Sequence, residues 1–380
     1  MIKRTVLASA IALAPFAAQA QTVEELQQQI DILAKEVESL KQAGNAGSAL
    51  NKVSIGGYGE LHYNNYSEHA NDDQIDAHRF VLYFGYDFTD RVRFASEFEL
   101  EHSLAGDGKP GEVELEQAYI EIDTTANTKL KTGLFLVPVG ILNETHEPNT
   151  FYGVERNQLE GRVIPTTWWE AGVMFSQDLG GGLSYDIAGH SGLNMYDSGT
   201  LDANAIRSGR QKVAEAVANK GAVTGRVRYV GVPGLDLAVS AQHQQDVFQT
   251  MGTESVPGTL IEAHARYTVA GATFTVQHAA WDFDEAIGVE AAEDQNGLLV
   301  EASYRFNDNW GVFARQTEVD YNAGGSDAEN REREDRTFGV NYWVVPQVVF
   351  KADYNDVSYD NDALDDDNDD SFNLGVGWSF

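Results

Sequence analysis

From Val53 to Phe380, apolar and polar residues alternate with a period of two, segment after segment, and no run reaches the roughly 18 apolar residues of a spanning helix. A period of two belongs to a strand with one apolar and one polar face. In the first segment Val53, Ile55, Leu61 and Tyr63 alternate with Ser54, Glu60, His62 and Asn64. In the second, Phe80, Leu82, Phe84, Tyr86 and Phe88 share one face, and after a turn at Thr89 and Asp90 the set Val92, Phe94, Ser96, Phe98 and Leu100 follows. The last segment, SFNLGVGWSF, places Phe372, Leu374, Val376, Trp378 and Phe380 on one side. Counted this way, the chain carries about sixteen strands.

The connections decide what those strands build. Short turns (Thr89 and Asp90, TTANT, QDLGGG, VGVPG, TVAG, NDN, VVPQ) follow the even strands, and long polar segments follow the odd ones. An up-and-down barrel with turns on one rim and loops on the other has this pattern, whereas a soluble β-sandwich buries its apolar face on a second sheet through Greek-key connections. Aromatic residues near strand ends (Tyr86, Phe88, Tyr304, Phe306, Trp310, Tyr342, Trp343, Tyr354) match the girdles of a bilayer's interfaces. The expected fold is therefore all-β, a 16-stranded antiparallel transmembrane barrel over residues 53–380. The last strand must pair with the one around Val53, because an open edge does not survive in hydrocarbon.

The N-terminal region has a different character. Lys3 and Arg4, an apolar stretch from Thr5 to Phe16, and the small residues of Ala18-Gln19-Ala20 form a secretory signal over residues 1–20, with the mature chain expected to start at Gln21. Removing Lys3 and Arg4 from the 26 basic residues leaves 24 against 59 acidic ones, a formal charge of −35, which disfavours nucleic acid as a partner. There is no cysteine, so an oxidising compartment supplies no disulfide.

Residues 22–43 carry Val23, Leu26, Ile30, Leu33, Val37 and Leu40 at alternating spacings of three and four, an a/d seam opened by a Thr22/Glu25 capping box and closed by Gly44. A periplasmic coiled-coil helix is expected there, with a linker over 44–52. The alternative is a single amphipathic helix docked on its own chain, which usually has a wider apolar stripe. By the simple rule the seam leans to two strands, but so short a coil takes its number from what it is tethered to.

Sixteen strands enclose a lumen too wide for side chains to fill, so water is expected inside. On the inward face stand the basic residues Arg79, Arg93, Lys131, Arg226, Arg228, Arg266, Arg305, Arg315 and Lys351. The acids Glu60, Glu97, Glu99, Glu101, Glu121, Glu170, Asp236, Glu262, Glu301 and Asp353 share that face. For each charge a solvated wall is the plain reading; the sharper one makes Arg226 and Arg228 part of an arginine ladder that guides anions through guanidinium forks.

The third long loop, residues 138–167, reads PVGILNETHEPNTFYGVERNQLEGRVIPTT. Its Ile141, Leu142, Phe151, Tyr152, Val154, Leu159 and Ile164 would be wasted in water, so the loop is expected to fold into the lumen as a constriction. Glu144, His146, Glu147, Arg156, Glu160 and Arg162 are its candidate filter residues. The fourth long loop holds Arg207, Arg210 and Lys212, followed by a short helical pattern, and either collects anions at the mouth or packs on its neighbours. Two more segments, SDAENREREDR and YDNDALDDDNDD, are acidic loops. Asp365, Asp366, Asp367, Asp369 and Asp370 are weak candidates for loose Ca2+ binding that bridges to lipopolysaccharide phosphates, although the glycine-centred spacing of a calcium loop is absent.

The stretches IGGYGELHYN, AHRFVLYFGYDFTDRVRFASEFELEH, LAGDGKPGEVELEQAYIEID and GLFLVPVGILNETHEPNTFYGVERN resemble the phosphate-selective porin O and P superfamily of Gram-negative outer membranes. The likeness spans nearly all of residues 51–380. It implies homotrimers of sixteen-stranded barrels with infolded loops, no cofactor, and passive diffusion of small hydrophilic solutes, with a preference for anions such as phosphate or small carboxylates at the constriction. It also implies that the terminal aromatic strand, with Trp378 and Phe380, is read by the barrel-assembly machinery. The chain departs from the family in having few lysines and as many inward acids as bases, which puts phosphate specificity in doubt.

Two rival functions remain at this level. A structural or adhesive barrel would have a plugged lumen. A barrel hydrolase would need a nucleophile, and GHSG (Gly189 to Gly192) offers a Ser/His pair but lacks the fifth residue of a nucleophile elbow. HExxH, P-loop and cysteine-based zinc spacings are absent from the sequence.

Overall fold

The computed structural model describes residues 52–67, 73–195, 205–249, 255–283, 294–323, 332–359 and 370–380. The signal segment, the heptad helix, the linker before Lys52 and the acidic run with Asp365, Asp366 and Asp367 lie outside the described residues.

Among the described residues sixteen antiparallel strands close into a barrel in which each pairs with its sequence neighbours and the last pairs with the first. They are β1 (Val53–Tyr66), β2 (Gln74–Thr89), β3 (Val92–Glu101), β4 (Val113–Thr125), β5 (Thr128–Leu136), β6 (Trp169–Gly180), β7 (Leu183–His190) and β8 (Ala222–Tyr229). The second half comprises β9 (Leu235–Gln244), β10 (Gly258–Val269), β11 (Ala272–Phe283), β12 (Asp294–Arg305), β13 (Trp310–Ala323), β14 (Glu332–Val345), β15 (Val348–Tyr359) and β16 (Ser371–Ser379). Even strands hand over to odd ones by tight turns, and the long connections all leave odd strands. Closure runs from Tyr58 opposite Ser379 to Tyr66 opposite Ser371, so the sheet has no free edge.

Polarity is inverted relative to a soluble protein. Ile55, Phe80, Leu82, Phe84, Phe98, Val239, Phe274, Val276, Phe338, Phe350 and Leu374 point outward and are exposed, while Glu60, Asn64, Glu97, Gln242, Glu262, Gln277, Asn341 and Asn373 point inward and are buried. An apolar exterior around a polar interior is stable only with lipid outside, which excludes the sandwich. On the turn rim Tyr86 stands against Phe88, Tyr304 against Phe306, and Trp310 against Tyr342 with ring centres 4.4 Å apart.

Two boundaries differ from the sequence reading. The segment SDAENREREDR is not all loop: Glu332 to Arg336 open β14. Their charges are matched within the sheet, Arg333 with Asp335 at 2.7 Å and Arg336 with Glu334 and Asp356, so a strand forms where composition spoke for a solvated run. In the fourth long loop the helical turn, Ala205–Ser208, contains Arg207, the first residue of the basic cluster, rather than following the cluster. Left-handed backbone at Lys212 (φ 52°), Val213 (φ 56°) and Glu215 (φ 55°) breaks the expected helix.

Candidate functional site: a loop across the lumen

The connection between β5 and β6, residues 137–168, enters the barrel. Its two ends are clasped: Val137 N donates to Trp168 O at 2.9 Å, and Asn143 Nδ2 donates to Val137 O at 2.7 Å and Trp168 O at 3.0 Å. Between the clasps it bonds to strands around the wall. Glu144 pairs with Arg226 on β8, Tyr83 Oη on β2 donates to Glu147 at 3.2 Å, and Val154 N donates to Asp353 Oδ2 on β15 at 2.6 Å. Arg315 on β13 donates to Tyr152 O and Glu155 O at 3.3 Å each, and Trp281 Nε1 on β11 donates to Val163 O at 2.9 Å.

Apolar burial holds the loop as well. Val137, Val139, Leu159, Val163, Ile164 and Trp168 pack with Leu260, Trp281, Phe283, Leu299 and Val319, inward residues of β10 to β13, together with Leu193, Met195 and Ile206 from the fourth long loop. One side of the lumen is thus filled by a dry core rather than by water, because these strands turn apolar groups inward where the loop lies. A Leu or Val buried this way contributes about 1.5–3 kcal/mol.

Wall glycines mark where the loop sits. A Cβ at Gly377 would lie 2.4 Å from Pro148 Cβ, one at Gly297 2.7 Å from Leu159 Cδ1, and one at Gly375 3.2 Å from Val154. Gly375 and Gly377 of SFNLGVGWSF therefore face the infolded loop, not open water as the alternation alone implies.

The sequence candidates fall into distinct settings. Arg226 is held by Asp186 at 2.7 Å and by Glu144, and Arg228 by Asp236 at 2.6 Å, so neither is a bare rung of an anion ladder. Register puts an acid directly opposite the first, Arg226 facing Asp186 across β7 and β8, whereas Arg228 stands opposite Ser184 and Ala238 and reaches along β9 to Asp236. Arg93 is matched by Glu121 and Asp123, Lys131 lies 4.3 Å over the Tyr119 ring, and Arg305 lies 4.2 Å over Trp343 at the turn rim. Arg266 lines a small cavity with Glu160, Gln277 and Glu301. His146 is buried between Glu97 (3.3 Å) and Glu116 (3.6 Å). Glu160 is the loop's own clasp, accepting from Ile141 N (2.6 Å), Leu142 N (3.0 Å) and Gln277 Nε2 (2.8 Å). Arg207 and Arg210 donate to carbonyls of the third loop (Gly161, Thr166, Thr167), and Lys212 pairs with Glu112 and Glu114, so that cluster pins one loop to the other.

Arg79, Arg156 and Arg162 meet elsewhere. They line a cavity of about 330 Å3 that also takes in Arg207, Glu60, Glu155, His62 and His78. Arg79 is balanced by Glu60 at 2.7 Å, and Glu155 accepts from Asn64 at 3.1 Å and meets His62 at 3.0 Å. Arg156 has no such partner: its Nε and Nη2 are shut off from solvent with no hydrogen bond among the described residues. Removal from water, and then the neighbouring Arg79 charge, lower its pKa, the mark of a cation short of counter-charge. A second cavity of about 240 Å3 borders the same 155–158 segment and carries Arg156, Arg315 and Arg333 against Glu155, Asp335 and Asp353.

Sequence reasoning passed over Glu116, His78, His102 and Asp76. A bulge between Glu97 and Phe98 shifts the β3/β4 register and turns Glu116 inward, and alternation cannot register such a slip. At GHSG, Ser191 Oγ donates to Glu170, and His190 Nε2 meets Thr224 Oγ1 at 2.8 Å; hydroxyl and imidazole are not a nucleophile–base pair.

A closed barrel with a lipid-facing exterior, a charged interior and a loop narrowing its lumen defines a membrane channel. The chain belongs to the Gram-negative porin family, whose model matches residues 7–363. An uncharacterized protein of Aquifex aeolicus (strain VF5) is 30% identical over 378 residues, covering 90% of this chain and 85% of that protein. Among solved structures, the anion-selective porin from Comamonas acidovorans superposes with a TM-score of 0.60 at 13% identity, over 86% of this chain and 99% of its own. The trimer form of OmpT, a Vibrio cholerae outer membrane protein, gives a TM-score of 0.56 at 12% identity, over 86% and 99%. The protein is accordingly an outer-membrane channel for small solutes.

Proposed function

We propose that the channel prefers small hydrophilic anions, such as phosphate or small carboxylates, and that the 155–162 part of the loop sets this preference. No bond is made or broken in this reading. The observation that carries it is the charge of the larger cavity, where four arginines (Arg79, Arg156, Arg162, Arg207) stand against two glutamates (Glu60, Glu155). Arg156 is the member whose Nε and Nη2 have no hydrogen bond among the described residues, so an anion entering the cavity supplies counter-charge that it lacks. The smaller cavity is balanced, which leaves the sign of the preference to the larger one. The anion-selective Comamonas neighbour shares the fold and is consistent with this use of it.

Assembly as a homotrimer accords with the trimer form of the Vibrio neighbour and with the heptad seam of residues 22–43, which would gather three helices on the periplasmic side. Recognition by the barrel-assembly machinery is proposed for the terminal strand: Trp378 and Phe380 stand on its lipid-facing side.

Substituting Arg156→Gln tests the preference. A unit charge about 5 Å from the ion's path is worth about 0.8 kcal/mol even at the dielectric of water, a factor of about 4 for each ion and, since its sign is opposite for anion and cation, about 16 in the anion-to-cation permeability ratio. The reversal potential in a KCl gradient is expected to move toward cations by that factor. An unmoved potential would show that Arg156 does not face the permeating ion.

A further inference from the structure

We propose that Asp76, His78 and His102 form a binding site for a divalent transition-metal ion, zinc being the probe, at the loop-side mouth of the channel. Strand register brings the three together. Between β1 and β2, Glu60 opposes Arg79 but His62 opposes Asp76, so β2 carries one extra residue, a bulge. The bulge lets His78 and Arg79, adjacent in sequence, line the same cavity. His102, just past β3, adopts a left-handed backbone (φ 49°) and donates its N–H to His78 O at 3.2 Å. This turn carries its imidazole to Asp76.

The donor atoms already converge. Asp76 Oδ2 is 3.1 Å from His78 Nδ1 and 2.8 Å from His102 Nδ1, and all three ligand atoms lie within 4.8 Å of one another. A tetrahedral zinc ion at about 2.0–2.1 Å from its ligands sets them about 3.3 Å apart, so two of the three edges need only a few tenths of an ångström. Two imidazoles and a carboxylate select a borderline metal over Ca2+ or Mg2+, which take oxygen ligands. The side chains are partly exposed, Asp76 17%, His78 29% and His102 34%, so an ion can enter and keep a fourth position for water or an anion. Arg79, which follows His78 in sequence, is held by Glu60 at 2.7 Å, and the Asp76 carboxylate offsets one of the ion's two charges. The buried set Glu97, Glu116 and His146 is also compact, but it is closed off under the loop.

His62 stacks on His78 with ring centres 4.5 Å apart and, with Glu155, makes an inner set that shares His78. The outer set is preferred because both imidazoles there already address one carboxylate oxygen.

Calorimetric titration of the untagged, detergent-folded protein with ZnCl2 tests the site independently of conductance. One zinc per chain is expected, with its affinity unchanged by excess CaCl2. His102→Gln lies outside the barrel pairing and is expected to weaken zinc binding at least tenfold, as is His78→Gln, whereas Glu155→Gln is expected to leave it unchanged. Absence of zinc binding, or wild-type affinity in His78→Gln, overturns the proposal. Loss in His78→Gln with His102→Gln unaffected puts the ion on His62 and Glu155 and overturns the assignment to the outer set.

Discussion

Replacing Gly375 and Gly377 together by valine is expected to leave the barrel folded but to unseat the loop, giving a larger and noisier open-channel current. The strand tolerates the change, since valine suits a strand better than glycine does. The loop does not. A Cβ at residue 377 falls 2.4 Å from Pro148 Cβ and 2.7 Å from its Cγ, and one at residue 375 falls 3.2 Å from Val154. Overpacking of this kind costs about 1–3 kcal/mol per site, and here the strain falls on the loop, whose 153–155 segment is held by bonds from Asp353 and Arg315. Planar-bilayer recording, alongside heat-modifiable migration to show an intact barrel, checks the result. Quiet, wild-type conductance in a folded double variant would mean that the loop does not rest on β16.

Deleting Phe380 is expected to have the opposite signature, a severe loss of assembled protein with normal conductance in the channels that form. Phe380 N donates to Gly57 O at 2.9 Å, and Gly57 N donates to Phe380 O at 3.0 Å, one rung of the seam between β1 and the end of the chain. In hydrocarbon each backbone group left without a partner costs several kcal/mol. The Phe380 ring also stacks on Phe80, with centres 6.4 Å apart, at the lipid-facing surface. Loss of the seam's last rung acts before insertion is complete, whereas the lumen 155–162 segment is untouched. Normal outer-membrane levels of the shortened protein would count against this reading.

The barrel was legible in the sequence because lipid outside and charge inside impose a period of two on nearly every strand, and because turns and loops alternate by rim. The infolding of the third loop was legible from apolar residues such as Leu159 and Ile164, which have no place in an extracellular loop. The charge pattern was not. Arg226 and Arg228 look like free rungs in one dimension, and only register sets Asp186 beside the first and the loop's Glu144 beyond it. Bulges hid Glu116 and His78, since one inserted residue shifts the inward face of a strand without disturbing composition. Alternation alone leaves the glycines of β16 facing the lumen with no reason for their size, which is set by Pro148 and Val154 above them.

The central claim is that this barrel is an open channel whose arginine-lined cavity favours anions, and single-channel recording of the wild-type protein across a KCl gradient tests it most directly. Stable conductance steps with a reversal potential on the chloride side are predicted from the four arginines and two glutamates of the larger cavity. A reversal potential on the potassium side would contradict the assigned selectivity, and the absence of any conductance step would contradict the open channel itself.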